Sequence, residues 1–245
     1  GCDPLLITCP SNQTGLPPSG SPGYLVSLGS GTCTTTSGCL NFWRINVNFT
    51  TPSSSTLTRT TLSVSQFNRA CGGGACVPQP LVTQKLDSLG DRLMYRVVYR
   101  NFAGYESIVL NHSVNANGVV GIRWYELRNA TNSTLISAWP VVYQQGTYTP
   151  DSDYRWMGSI AMDKKGNIGV GYSASGSSYP SIRVAVQSGP ATSQNLNAAL
   201  SSEFIVHQGT GSQTQYSRWG DYSSLMVDPV DGCTFYYTTE DLPGT

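Results

Sequence analysis

The chain has 245 residues, no formal net charge at neutral pH, 39 % apolar residues and only 11 % charged ones, the last well below the roughly 25 % of an average soluble protein. That balance supplies a core, offers no basic stripe of the kind nucleic-acid binding needs, and contains no run of about 18 apolar residues that would span a membrane. Gly, Ser, Thr, Asn and Tyr fill the remainder, a composition of strands joined by many turns that is common in extracellular proteins.

Residues 1–22 carry Pro4, Pro10, Pro17, Pro18 and Pro22 among Gly and Ser and read as a loop or N-terminal extension. Tyr24–Leu28, Leu40–Phe49 and Leu57–Phe67 are strand candidates. In the second, Trp43, Ile45, Val47 and Phe49 alternate with polar residues, the period-two pattern of a half-buried strand. Arg92–Arg100, Tyr105–Val114, Val119–Arg128 and Leu135–Tyr148 follow, with Asn117-Gly118 as a strong hairpin signal between two of them. Met157–Met162, Ile168–Ser173, Ile182–Gln187 and Phe204–Gln208 form a third set, and Ser223–Val227 and Cys233–Thr239 begin a fourth. The one helical candidate is Ser193–Ser202.

An internal echo decides how these strands are grouped. Arg155-Trp156 recurs as Arg218-Trp219, 63 residues on, and Asp163 recurs as Asp228. Arg92 opens a comparable strand 63 residues before Arg155. A four-stranded unit cannot bury both of its faces alone, and radial stacking of copies buries them against neighbours. The expected fold is therefore an all-β propeller of four-stranded antiparallel blades, near 23–85, 86–150 and 151–210, with a partial blade over 211–245. Asp163 and Asp228 start tight turns closed by Gly166 and Gly232, which gives them a structural role. The Arg-Trp pairs lie at the opposite strand end. Arg pairs with carboxylates or phosphates and Trp stacks on sugars or cations, against the plainer role of wedges between repeats. Arg92, Asp153, Arg155, Trp156, Arg218, Trp219 and Asp221 form the candidate ligand-binding set.

Cys2 with Cys9, Cys33 with Cys39, and Cys71 with Cys76 make close pairs in loop-like sequence. They suit small disulfide-closed loops in an oxidising compartment; their spacings, without nearby His, do not suit a metal site. Cys233 is left over. N-x-S/T sequons at Asn12, Asn48, Asn111, Asn129 and Asn132 are possible glycan acceptors on an exported chain.

Gly90-Asp-Arg-Leu-Met-Tyr-Arg, Tyr154-Arg-Trp-Met-Gly-Ser-Ile-Ala-Met-Asp, Gly171-Tyr-Ser-Ala-Ser and Arg218-Trp-Gly-Asp-Tyr-Ser-Ser resemble secreted bacterial proteins of the sialidase-like (BNR-type) β-propeller group over roughly residues 24–240. The resemblance implies further blades outside the chain, or copies that associate to close a ring. The Ser-x-Asp-x-Gly-x-x-Trp box of true sialidases is absent, and Glu126 beside Tyr125 would face the other side of a strand. No catalytic residue is assigned. His112 and His207 read as surface or packing residues. Asp151 with Asp153, and Asp228 with Asp231, could hold calcium, but each pair offers too few carboxylates to name a site. The expected function is a secreted, non-catalytic module that binds a glycan or extracellular protein, or a structural surface component. A glycoside hydrolase with carboxylates in the channel and a self-associating surface or filament subunit are the alternatives.

Overall fold

A computed structural model describes residues 8–14, 17–35, 37–102, 104–130 and 140–241, with 8–14 and 130 described as backbone. The protein is all-β, and among the described residues the helical content is two short 3-10 turns, Pro52–Ser54 and Ala70–Gly73.

Strands β1 (Thr8–Thr14), β2 (Gly23–Leu28), β3 (Ser37–Asn46) and β4 (Thr56–Ser65) run in antiparallel order. Three short strands follow: β5 (Asn68–Arg69), β6 (Ala75–Val77) and β7 (Leu86–Asp87). Next come β8 (Leu93–Asn101), β9 (Tyr105–Ala116), β10 (Val119–Ala130) and β11 (Val141–Tyr148), an antiparallel meander. A second meander comprises β12 (Tyr154–Met162), β13 (Ile168–Ser175), β14 (Ser181–Gln187) and β15 (Phe204–His207). A hairpin of β16 (Ser224–Val227) and β17 (Phe235–Thr238) ends the described fold.

Two local expectations give way. Part of the proline-rich start is strand β1: Thr8–Pro10 pair with β2, and Ser11–Thr14 pair in parallel with β8. Pro10, which lacks an N–H, sits where the ladder changes partner. Ser193–Ser202 is not helical. Asn195 bonds instead to the edge of β11, its N–H to Tyr143 O and its carbonyl to Gln145 N–H, and Ala198 N–H donates to Gln145 O. An open strand edge supplies the partners that a helix would have supplied internally.

Through β1 the first two meanders become one sheet, ordered β11-β10-β9-β8-β1-β2-β3-β4. Its halves face each other. Tyr24, Val26, Leu40, Phe42 and Val64 pack against Leu93, Val97, Tyr99, Ile108 and Leu127, and Ser65 N–H reaches Gln145 Oε1 at 3.0 Å. The opposite face of β8–β11 carries Val98, Val109, Ile122 and Trp124, which pack on Ile160, Met162, Val170, Tyr172 and Ala185 of β12–β14. No described sheet closes into a barrel or a ring.

Strand β13 shows how the next layer seats. Ile168, Val170 and Tyr172 point into the second core, while Gly169 and Gly171 face the hairpin. A methyl on Gly171 would lie 2.6 Å from the Tyr237 ring, and one on Gly169 would lie 3.3 Å from Phe235. The absent side chains make room for the aromatic residues of β17.

The repeat is visible in the backbone. Strands β8 and β12 have register shifts at Met94/Val98 and Trp156/Ser159. Tyr95 and Met157, at these shifts, have φ of 54–61°, and Gly220 before β16 has φ 69°. These residues are 62 and 63 apart. The residue before each of these three positions, Met94, Trp156 and Trp219, belongs to one shared buried cluster. The bulges also correct the sequence alignment: Leu93, not Arg92, matches Arg155 and Arg218. Adjacent strand residues face opposite ways, so Arg92 is turned elsewhere.

The turns behave as their sequences predict. Asp163 Oδ1 accepts Lys165 and Asn167 N–H, both at 2.8 Å, and Asp228 Oδ1 accepts Val230 N–H at 2.7 Å. Disulfides join Cys33 to Cys39 and Cys71 to Cys76, and Cys233 is free. The Cys2–Cys9 pair lies outside the described side chains, as do the sequon residues Asn12 and Asn132. Asn48 is exposed, Asn129 is half-buried, and Asn111 is enclosed mid-strand, where it donates to Met94 O at 3.2 Å; the folded chain leaves no room for a glycan there.

Overpacking a well-filled layer typically costs about 1–3 kcal/mol. Gly171→Ala is expected to lower stability to denaturant by that order, and Tyr237→Leu in the same chain is expected to recover part of it. A Gly171→Ala protein as stable as the parent would show that the hairpin is not seated on β13.

Candidate functional site

The structure divides the sequence-predicted ligand set between two places. Asp153, Arg155 and Trp156 are enclosed. The Arg155 guanidinium is fully buried and binds Asp151 twice at 2.8 Å and Glu203 at 2.7 and 3.2 Å. Arg183 donates to Glu203 at 2.6 Å and to Asp153 at 3.3 Å. Tyr172 donates its hydroxyl proton to Glu203 at 2.8 Å. Asp153 Oδ1 also accepts Ser177 N–H at 3.0 Å. Burial pushes the Glu203 carboxyl up, but Arg155 and Arg183 outweigh it and hold the group below its usual range. The bond from Arg155 lowers Asp151 in the same way. This network ties β12, β14 and the lead-in to β15 together. The Asp151 and Asp153 carboxylates considered for calcium are engaged by these donors, and no group of three metal-ligating side chains occurs among the described residues.

Arg218, Trp219 and Asp221 converge elsewhere, in the segment that leads into β16. A buried glutamine fixes this segment: Gln79 donates to Gln213 O at 2.9 Å and accepts Gln213 N–H at 2.8 Å. Asp87 N–H adds a bond to Ser217 O at 2.7 Å. Trp219, 2 % exposed, plugs into the shared cluster with Trp156 and Met94. Gly220, in the left-handed region, gives its N–H to Glu240 Oε2 at 2.7 Å. The result is a cleft of about 510 Å³ lined by Tyr216, Arg218, Trp219, Asp221, Tyr222 and Glu240.

Tyr216 and Tyr222 stand 65 % and 60 % exposed at this cleft. Arg218 pairs through Nε with Asp221 Oδ2. Asp221 Oδ1 is shut away from water and makes no well-formed hydrogen bond among the described residues, although the Trp219 backbone N–H lies near enough to the carboxylate to favour its charge. Burial raises the Asp221 pKa, and Asp87 adds to the rise against the opposing pull of Arg218. Arg92 grips Asp91 with two bonds of 2.8 Å and lies within electrostatic reach of Tyr222. Arg92 therefore joins the margin of this site, and Arg155 does not.

The other glutamates do not face one another. Glu106 and Glu126 lie on opposite faces of β9–β10. Glu106 accepts from Tyr99 and Asn129, while Glu126 accepts from Ser107, Arg128 and Gln144. Arg128 sits between the Tyr105 and Tyr143 rings, 4.2 and 3.7 Å from their centres. His112 is enclosed in the first core, bonded to the Tyr125 hydroxyl at 3.0 Å and edge-on to Phe67. Burial drives its pKa down to about 3, so it stays neutral and packs. His207 lies at the exposed edge, 3.5 Å from Asp241.

Tyr216, Tyr222, Glu240, Asp87 and Gln79 were not in the sequence-predicted set. Tyr222 follows Asp221 directly and was within reach of the motif; the rest arrive from distant segments. Compared with protein-family models, curated proteins and solved structures, the chain matches none.

Two pH effects follow from these environments. The pKa values of Asp151 and Glu203 are lower in the folded state. Their stabilisation is therefore present above the ordinary carboxylate range and is lost as pH falls through the folded values. Glu203→Gln is expected to flatten the acid loss of thermal midpoint between about pH 5 and pH 3; an unchanged slope would contradict the network. Asp221 has the opposite sign: its raised folded pKa makes ionisation destabilising as pH rises through it. Asp221→Asn is expected to gain in midpoint relative to the parent as pH is raised from 4 to 8, and a relative loss would contradict the burial.

Proposed function

We propose that this chain is an extracellular module of the β-propeller type, built from stacked four-stranded blades, whose rim cleft binds a carbohydrate chain. The bulges at Tyr95 and Met157, the left-handed backbone they share with Gly220, and the meeting of Met94, Trp156 and Trp219 in one cluster support the radial arrangement of blades. Two disulfides fit an oxidising compartment, and among the described residues no helix is long and apolar enough to cross a membrane.

The observation that carries the binding reading is the pair of exposed tyrosines flanking a cleft with a polar floor. A large aromatic ring left in water on a segment clamped by buried hydrogen bonds is held ready for a partner. Rigid aromatic anchors with a few placed polar groups are the usual recipe for a binding pocket. Sugar rings present C–H faces to aromatic rings and hydroxyls to Arg218, Asp221 and Glu240.

A second reading has its own support. Asp221, with its raised pKa, and Glu240 line the same cleft, and paired carboxylates of unlike environment are the machinery of glycoside hydrolysis. In that case Asp221 is the proton donor.

A glycan array probed with the parent and the Tyr216→Ala/Tyr222→Ala variant tests binding. Signals on the parent are expected to fall at least tenfold in the variant, roughly what loss of 1–2 kcal/mol per aromatic anchor gives. Equal signals would remove the cleft from consideration. Release of sugar from a bound oligosaccharide by the parent, but not by Asp221→Asn, would favour the hydrolase.

A further inference from the structure

The stack of layers ends on two sheet faces whose apolar side chains are left partly in water. On β2 and β3, Tyr24, Val26, Leu40 and Phe42 look inward, so by alternation Leu25, Trp43 and Ile45 look out. Leu25 lies opposite Trp43, and Ile45 lies opposite Leu57 of β4, which makes one apolar stripe across three strands. Leu25, Trp43 and Ile45 are half-buried and belong to none of the three buried clusters, and Leu57 is 63 % exposed. At the other end of the stack, Leu225 is buried, and Phe235 and Tyr237 lie on the glycines of β13. Met226 and Tyr236, opposite one another in the hairpin, therefore face away and are 47 % and 58 % exposed. The layers inside the fold meet as apolar sheet on apolar sheet, and these two end faces have the same character.

The two faces carry opposite charge. Residues 8–65 contain two arginines, Arg44 and Arg59, and no acid. Arg59 is exposed and stands opposite Trp43 on the apolar stripe. Residues 209–241 contain Arg218 against Asp221, Asp228, Asp231, Glu240 and Asp241. The Tyr236 hydroxyl donates to Asp228 Oδ2 at 3.2 Å, which sets that carboxylate beside the outward ring. We propose that the outer face of β2–β4 packs on the outer face of β16–β17 of a second copy, so that the chain associates head to tail. Joining like faces would set Arg59 against Arg59 or Asp228 against Asp228, and like charges brought together at an interface are costly. Joining unlike faces covers Trp43 and Leu57 with Met226 and Tyr236 and brings Arg59 toward Asp228. A contact between two different faces leaves one of each free on every pair, so the assembly grows until it closes as a ring or continues as a filament. None of the residues that make this contact lines the rim cleft.

Sedimentation velocity on the whole chain from about 1 µM to about 1 mM tests it. Species larger than one chain are expected to grow with concentration. Leu57→Thr/Arg59→Thr alters the first face and Met226→Thr/Tyr236→Thr the second. Each variant, with a melting curve like the parent's, is expected to associate at least about tenfold more weakly. Their equimolar mixture is expected to form dimers and nothing larger, because each variant keeps the one face the other has lost. Should either double variant melt early, Arg59→Thr and Met226→Thr take their places. A parent that stays monomeric throughout overturns the proposal. So does a variant that associates as the parent does, or a mixture that stays monomeric or grows past the dimer.

Discussion

A sheet whose strands are apolar on both faces is held in water only between two others. Strand β13 is buried along its whole length, Ile168–Ser175, and most of β9 and β10 is as well. Leu110 and Leu127 look into the first core while Val109 and Ile122 look into the second. This two-sided burial is the constraint on which the rest depends. It makes β8–β11 a middle layer, with β1–β4 on one face and β12–β15 on the other. It also leaves β16–β17 to lie on the glycines of β13.

The same constraint locates the cleft. Strands β8 and β12, which open the second and third meanders, both bulge, and the residue before each bulge is drawn into a common cluster that Trp219 joins from the segment before β16. In two units the clustered residue is Trp, and its volume fixes the chain on either side. With Trp219 drawn inward, Arg218, Asp221 and Tyr222 are left at the rim, and Gly220 takes the left-handed backbone that Tyr95 and Met157 adopt against their preference. The cleft is thus a by-product of packing: the wedge that joins the shared cluster also presents the polar groups beside it.

Much of this was legible in the sequence because it is written in short-range patterns. Asn117-Gly118 marked the β9–β10 hairpin and the Arg-Trp echo marked the period of about 63 residues, whereas the alternation of Trp43, Ile45, Val47 and Phe49 found a strand but the wrong face: β3 ends at Asn46, buries Leu40 and Phe42, and leaves Val47 and Phe49 exposed. What the sequence concealed depends on partners far along the chain. Strand β1 looks like a proline-rich loop because its ladder partners, β2 and β8, lie on either side of it in space. Ser193–Ser202 looks helical because nothing local reveals that the edge of β11 will satisfy it. Arg92 was matched with Arg155 by spacing, and a one-residue difference at the bulge turned it to another face. In the site, Arg218, Trp219 and Asp221 share one motif and were found together. Glu240, Asp87 and Gln79 meet them only after the chain has folded.

The convergence of equivalent residues is the claim from which the layered fold and its rim cleft both follow, and a double-mutant cycle on Trp156→Phe and Trp219→Phe measures it most directly. If the two indoles share one buried cluster, their losses in unfolding free energy fail to add, with a coupling of about 0.5 kcal/mol or more. Losses that add to within about 0.3 kcal/mol would mean the tryptophans occupy independent surroundings, and the stacked arrangement would be contradicted.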